Sequence, residues 1–63
     1  MGEKPLCKLI GEDGNVFAII GLVNRTLRDA GQRKEAEEFR DRAFKAKSYD
    51  EVLAMLDDYV VVE

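Results

Sequence analysis

The chain contains no histidine, one cysteine and one proline in 63 residues, and each scarcity removes a class of chemistry or architecture. Without histidine, no side chain has its ordinary titration near neutrality, so the commonest general base is missing. With Cys7 alone, no disulfide can close within the chain. Nor can one thiol build a zinc site from the usual nitrogen and sulfur ligands. No apolar run approaches the roughly 20 residues that span a bilayer. The start of the sequence lacks the charged-then-apolar pattern of a secretory signal. Leu6 stands where a myristoylation motif needs Ser or Thr. The expectation is a cytoplasmic protein with no membrane contact.

Phosphate-binding signatures are also missing. Gly11, Gly14 and Gly21 surround the start of an apolar segment, but G-x-x-x-x-G-K-[ST] and G-x-G-x-x-G are both unmet. Glu12 and Asp13 would repel an anion arriving at the turn. Asp13-Gly14-Asn15 does not extend into a calcium loop. Cys7 has no histidine to activate it and reads as a small buried hydrophobe. Asp57 and Asp58 are adjacent, so on a helix they would point about 100° apart and would not pair. No catalytic residue, metal or cofactor is expected, and the chain does not read as an enzyme.

What is present is the composition of a folded protein: 46% hydrophobic, 37% charged, net charge −3. One domain spans residues 1–63, with disorder expected at residues 1–5. A core of this size rarely supplies more than about 3–5 kcal/mol, so self-association is a natural support. Charge is uneven. Residues 1–23 carry a net −1, residues 24–47 a net +3 and residues 48–63 a net −5. The plainest reading has the basic middle facing the acidic end, within a monomer or between protomers.

The pattern predicts β-α-α-α-β. Residues 6–10 alternate as a short strand, with Leu6, Lys8 and Ile10 on one side and Cys7 and Leu9 on the other. A turn follows at residues 11–14. Asn15 suits an N-cap, and residues 16, 19, 20, 23, 27 and 30 are apolar at helical spacing. Gly31 suits a left-handed stop. A second helix runs from Gln32 or Arg33 to about Ala46, with Ala36, Phe39, Ala43 and Ala46 inward. Glu38–Arg42 and Asp41–Lys45 are spaced as i,i+4 pairs on its outer face. Ser48 with Glu51 forms a capping box for a third helix whose inward stripe is Val52, Leu53 and Leu56. Residues 59–62 favour a second strand. The fold class expected is α+β, with the terminal strands paired and three helices on one face. Whether the strands run parallel is open, and two strands alone make a marginal sheet, which keeps a homodimer in view.

"DGNVFAIIGLVNRTLRDAG", "EAEEF", "YDEVL" and "YVVVE" together resemble a group of short bacterial proteins of unknown function associated with phages and integrative elements. The resemblance runs from residue 7 onward and is strongest at residues 14–31. Between residues 40 and 47 this chain looks longer and more basic. The resemblance implies a small accessory protein and no reaction, cofactor or site.

Candidate partner surfaces follow from the residues. Gly21 lies inside the first helix, where glycine costs about 1 kcal/mol relative to alanine. It falls opposite the apolar stripe, beside Ala18, Arg25 and Arg28. The plainer reading is that a strand or the third helix packs there; the functional reading is a partner or dimer contact. Phe44, one step from Ala43 on the second helix, is expected at the margin of the core, covered by Tyr49 or a second protomer. Arg25, Arg28, Arg33 and Lys34 flank the first helix–helix turn. A helix-turn-helix reader would expose bases there, yet Glu35, Glu37 and Glu38 follow, and nucleic acid is disfavoured. The leading expectation is a protein-interaction module with an unidentified protein partner or a second copy. The alternative is a nucleic-acid-associated accessory factor using those four basic residues.

Overall fold

The computed structural model describes residues 4–9 and 15–63. Ile10 and the turn expected at residues 11–14 lie outside the described residues. The elements run β1 (Leu6–Cys7), α1 (Val16–Asp29), α2 (Arg33–Lys45), α3 (Tyr49–Leu56) and β2 (Val61–Val62), an α+β chain in the expected order.

Local signals set the helix ends. Asn15 has extended backbone, and its side-chain oxygen accepts from the Phe17 N–H at 2.8 Å, satisfying one of the free donors of α1. At the other end Gly31 adopts φ 78°, which glycine reaches without a Cβ penalty. The Gly31 N–H donates to the Arg28 carbonyl at 3.0 Å, and the Gln32 N–H donates to the Leu27 carbonyl at 2.8 Å. These are the 5→2 and 6→1 bonds of a Schellman stop. The chain therefore reverses tightly and sends α2 back along α1. The Asn24 side-chain amide donates to the Ala36 carbonyl at 2.9 Å, joining the two helices. At the start of α3 the Glu51 N–H donates to Ser48 Oγ at 3.2 Å, and the Lys47 N–H donates to the Glu51 carboxylate. The capping box is present, with its carboxylate reaching one residue further back than the usual arrangement.

The inward faces meet in one core. α1 gives Ile19, Ile20, Val23 and Leu27; α2 gives Ala36, Phe39 and Ala43; α3 gives Val52, Met55 and Leu56. Val23, Leu27 and Phe39 are fully excluded from solvent, and burying side chains of this size contributes about 1.5–3 kcal/mol each. Two expected core positions differ. Ala30 caps α1 and is exposed. In α3 Met55 turns inward and Leu53 turns out. α3 is eight residues long, so its docking against α1, rather than its own short pattern, decides its rotation.

The terminal strands pair in parallel, Leu6 with Val61 and Cys7 with Val62. The Val61 N–H donates to the Pro5 carbonyl at 2.9 Å, the Glu63 N–H to the Cys7 carbonyl at 3.0 Å and the Leu9 N–H to the Glu63 carbonyl at 3.1 Å. Cys7 faces the helices and is buried, as its reading as a small hydrophobe requires, and Leu6 faces out. The second strand is shorter than residues 59–62. The Tyr59 and Val60 N–H groups still donate to the Leu56 carbonyl, so both residues finish the turn after α3 and bury their side chains in the core.

Candidate functional site

Tyr59 anchors the C-terminal segment to α2. Its hydroxyl donates to Glu38 Oε1 at 2.6 Å and accepts from Arg42 Nη1 at 2.9 Å. Arg42 also lies 3.6 Å from Asp58, and its guanidinium sits 5.5 Å from the Tyr59 ring centroid. Glu38 and Arg42 thus meet through the tyrosine rather than as the direct i,i+4 pair expected. Burial first, then the hydrogen bond to Glu38, pushes the Tyr59 hydroxyl above its ordinary value, while Arg42 pulls the other way. The bond to Tyr59, with the ring oxygen's charge when ionised, raises Arg42. These contacts hold the fold together.

Among the open surfaces of the described residues, two adjoin through Arg40 and Phe44. The first is a groove of about 280 Å³ where the start of α1, the end of α2 and the start of α3 converge. Ile20, Ala43 and Val52 contribute to its lining, with Phe17, Phe44 and Tyr49. Phe17 is 65% exposed, Phe44 56% and Tyr49 40%. The Phe17 and Phe44 rings meet at 6.3 Å between centroids, so Phe17, rather than Tyr49, is the ring that partners Phe44. Among the described residues Lys47 is the one charged side chain lining this groove.

The second is a cleft of about 250 Å³ between α1 and α2, lined by Asn24, Arg28, Arg33, Ala36, Glu37 and Arg40. Arg25 belongs to the adjoining hollow beside Gly21 and lies 3.8 Å from Asp29. Lys45 pairs with Asp41 at 3.1 Å. Among the described residues, Arg28, Arg33 and Arg40 have no acidic partner within 4.0 Å. Arg40 connects the two surfaces, because its guanidinium also lies 5.8 Å from the Phe44 ring centroid. Only Arg42–Asp58 joins the basic middle to the acidic end as an ion pair among the described residues.

Of the surface residues singled out in the sequence, Gly21, Arg25 and Arg28 share one hollow, and Phe44 belongs to the aromatic groove. Ala18 is exposed on α1 and lines neither surface. The plainer reading of Gly21 does not hold, because a Cβ there would meet nothing within 4 Å. No strand or helix of the described chain packs on it. Phe17 and Arg40 were not singled out from the sequence; both meet Phe44 in the folded chain. Lys34 is exposed and lies outside the arginine cleft.

Fold and surface define a small α+β domain with an aromatic groove beside an arginine-lined cleft. In comparisons with known proteins, the chain matches no family model, no curated protein and no solved structure. Among the described residues no helix is long and apolar enough to cross a membrane, and no three His, Cys, Asp or Glu side chains gather as a metal-binding group.

Proposed function

We propose that the chain is a protein-interaction module, a small cytoplasmic accessory protein of the kind its sequence resembles in phages and mobile elements. The supporting observation is the groove at the junction of the three helices, with Phe17 and Phe44 each more than half exposed beside it. Contiguous exposed aromatic surface on a small domain is costly to leave wet, and such patches mark docking sites. Affinity capture from the source cell tests this. The parent chain is expected to retain a protein that a Phe17→Ser/Phe44→Ser variant, folded by circular dichroism, does not. Identical captures by both would refute the groove as the docking site.

A second reading rests on the three arginines of the cleft between α1 and α2, which lack acidic partners among the described residues. A nucleic-acid-associated factor would use them with Arg25 and Lys34. Phosphate contacts dominate affinity for DNA, and Glu37 sits inside the same cleft. A low-salt gel shift with random duplex is expected to show no complex at micromolar protein. Tight, steeply salt-dependent binding would promote this reading over the first.

A further inference from the structure

The geometry points to an acidic, apolar-anchored helical segment of another protein as the occupant of the aromatic groove. This inference rests on the interaction-module reading and names the chemistry of its partner.

The area available argues against a second copy. Aromatic side chains carry roughly 150–250 Å² each, so at the exposures of Phe17, Phe44 and Tyr49 the patch offers about 300 Å². A stable protein–protein interface buries about 800 Å² on each partner. A two-fold contact would also double the patch's own charges, setting Arg40 and Lys47 of one copy beside those of the other. A short amphipathic helix needs less. Its apolar side chains at i, i+3 or i+4, and i+7 can enter such a groove, against the exposed faces of Phe17, Phe44 and Tyr49, with the buried Ile20, Ala43 and Val52 behind them.

Charge selects the flank of that helix. Lys47 is the one charged residue lining the groove among the described residues. Arg40 stands over the Phe44 ring and continues into the cleft that holds Arg28 and Arg33. None of these four cations has an acidic side-chain partner within the described chain. Carboxylates on one side of a docked helix would meet Lys47 at the groove and Arg40 over the Phe44 ring, with Arg28 and Arg33 further on in the cleft that also holds Glu37. Single-stranded nucleic acid fits less well. Glu37 and Asp41 lie next to Arg40 and Phe44, and regularly spaced phosphates could not avoid both. A peptide can place its carboxylates around them.

Three fluorescein-labelled peptides of about 15 residues, long enough to form marginal helices, provide the test. They share one Leu/Phe face and differ only in having Glu, Gln or Lys at the polar positions. By fluorescence anisotropy the Glu peptide is expected to bind the full chain about tenfold more tightly than the Gln peptide, and the Lys peptide most weakly. Arg40→Glu with Lys47→Glu should reverse that order. Phe44→Ser, checked for retained fold by circular dichroism, should weaken all three. Equal binding of all three peptides, abolished by Phe44→Ser, overturns the charge preference and leaves the interaction-module reading standing. Absence of binding by any peptide overturns the inference. So does an oligo-dT strand that binds as tightly with the same sensitivity to Phe44→Ser, which favours nucleic acid. A parent dimer in sedimentation that Phe44→Ser dissolves overturns it in favour of a second copy.

Discussion

Two arginine-topped aromatic pairs flank α2, and they have opposite fates. On one side Arg42 lies 5.5 Å from the Tyr59 ring, which meets Phe39 edge-on at 5.4 Å. On the other, Arg40 lies 5.8 Å from the Phe44 ring, which meets Phe17 at 6.3 Å. Two residues apart on a helix means about 200° around its axis, so the pairs face away from each other. The rings of the first are sealed. Phe39 and Tyr59 are buried, and Glu38 and Asp58 answer the hydroxyl and the guanidinium. The second sets an arginine over two rings at similar distances, but both rings are phenylalanines with no hydroxyl to bond, they are wet, and Arg40 has no acidic partner among the described residues. A ring under a cation does not by itself distinguish a structural contact from an available one. What distinguishes them is whether carboxylates and the remaining core close over the pair.

The contrast predicts that changes on the sealed side cost stability and changes on the open side cost binding. The largest effect should come from deleting residues 60–63. That removes the buried Val60, strand β2 and its bonds to β1, and the cooperative unfolding transition should vanish. A truncated chain that melts like the parent in a circular dichroism scan would break the comparison at its base.

Tyr59→Phe should come next, at about 1–2 kcal/mol in urea unfolding at neutral pH, for loss of hydrogen bonds to charged partners. The sign of its pH dependence follows from the raised hydroxyl. The unfolded chain releases that proton near pH 10, and the folded chain holds it to higher pH. The unfolded state then binds fewer protons, so stability falls as pH rises through that interval. The phenylalanine variant should lose this component of the decline.

Gly21→Ala sharpens the comparison from the open side. The added methyl meets open space and removes a helix-interior glycine, a gain of about 1 kcal/mol. The melting temperature should rise by about 4–8 °C for a domain of this size. A fall would mean that something packs on Gly21 in solution. Smallest is Phe44→Ser, which should lower stability by no more than about 1 kcal/mol because more than half of the ring is already in water. A loss several times larger in urea unfolding would show that the aromatic pair is structural after all.

Legibility in the sequence followed range along the chain. Asn15, Gly31 and Ser48 announced helix ends because their bonds reach at most a few residues. The long amphipathic stripe of α1 fixed its own inward face. Leu53 and Met55 exchanged roles because eight residues hold too few repeats to set a phase. Tyr59 and Val60 read as strand because β-branched and aromatic residues favour extension, but burial against Phe39 and the turn after α3 prevailed. The candidate surface was half legible. Gly21, Arg25, Arg28 and Phe44 were visible as helix-face residues. Phe17 and Arg40 acquire meaning only through contacts between helices, and no spacing along one helix encodes those.

The parallel closure of the sheet carries a kinetic consequence. Leu6 pairs with Val61, so almost the whole chain separates the two strands, whereas the α1–α2 reversal at Gly31 is local. Closing so long a loop forfeits chain entropy before the pairing returns anything, and contacts between distant residues are the slow ones to form. The helical hairpin is therefore expected to assemble early and the strands to zip last. Substitutions that weaken Val61 or Val62 should steepen the escape from the native state in stopped-flow unfolding while leaving the refolding rate nearly unchanged.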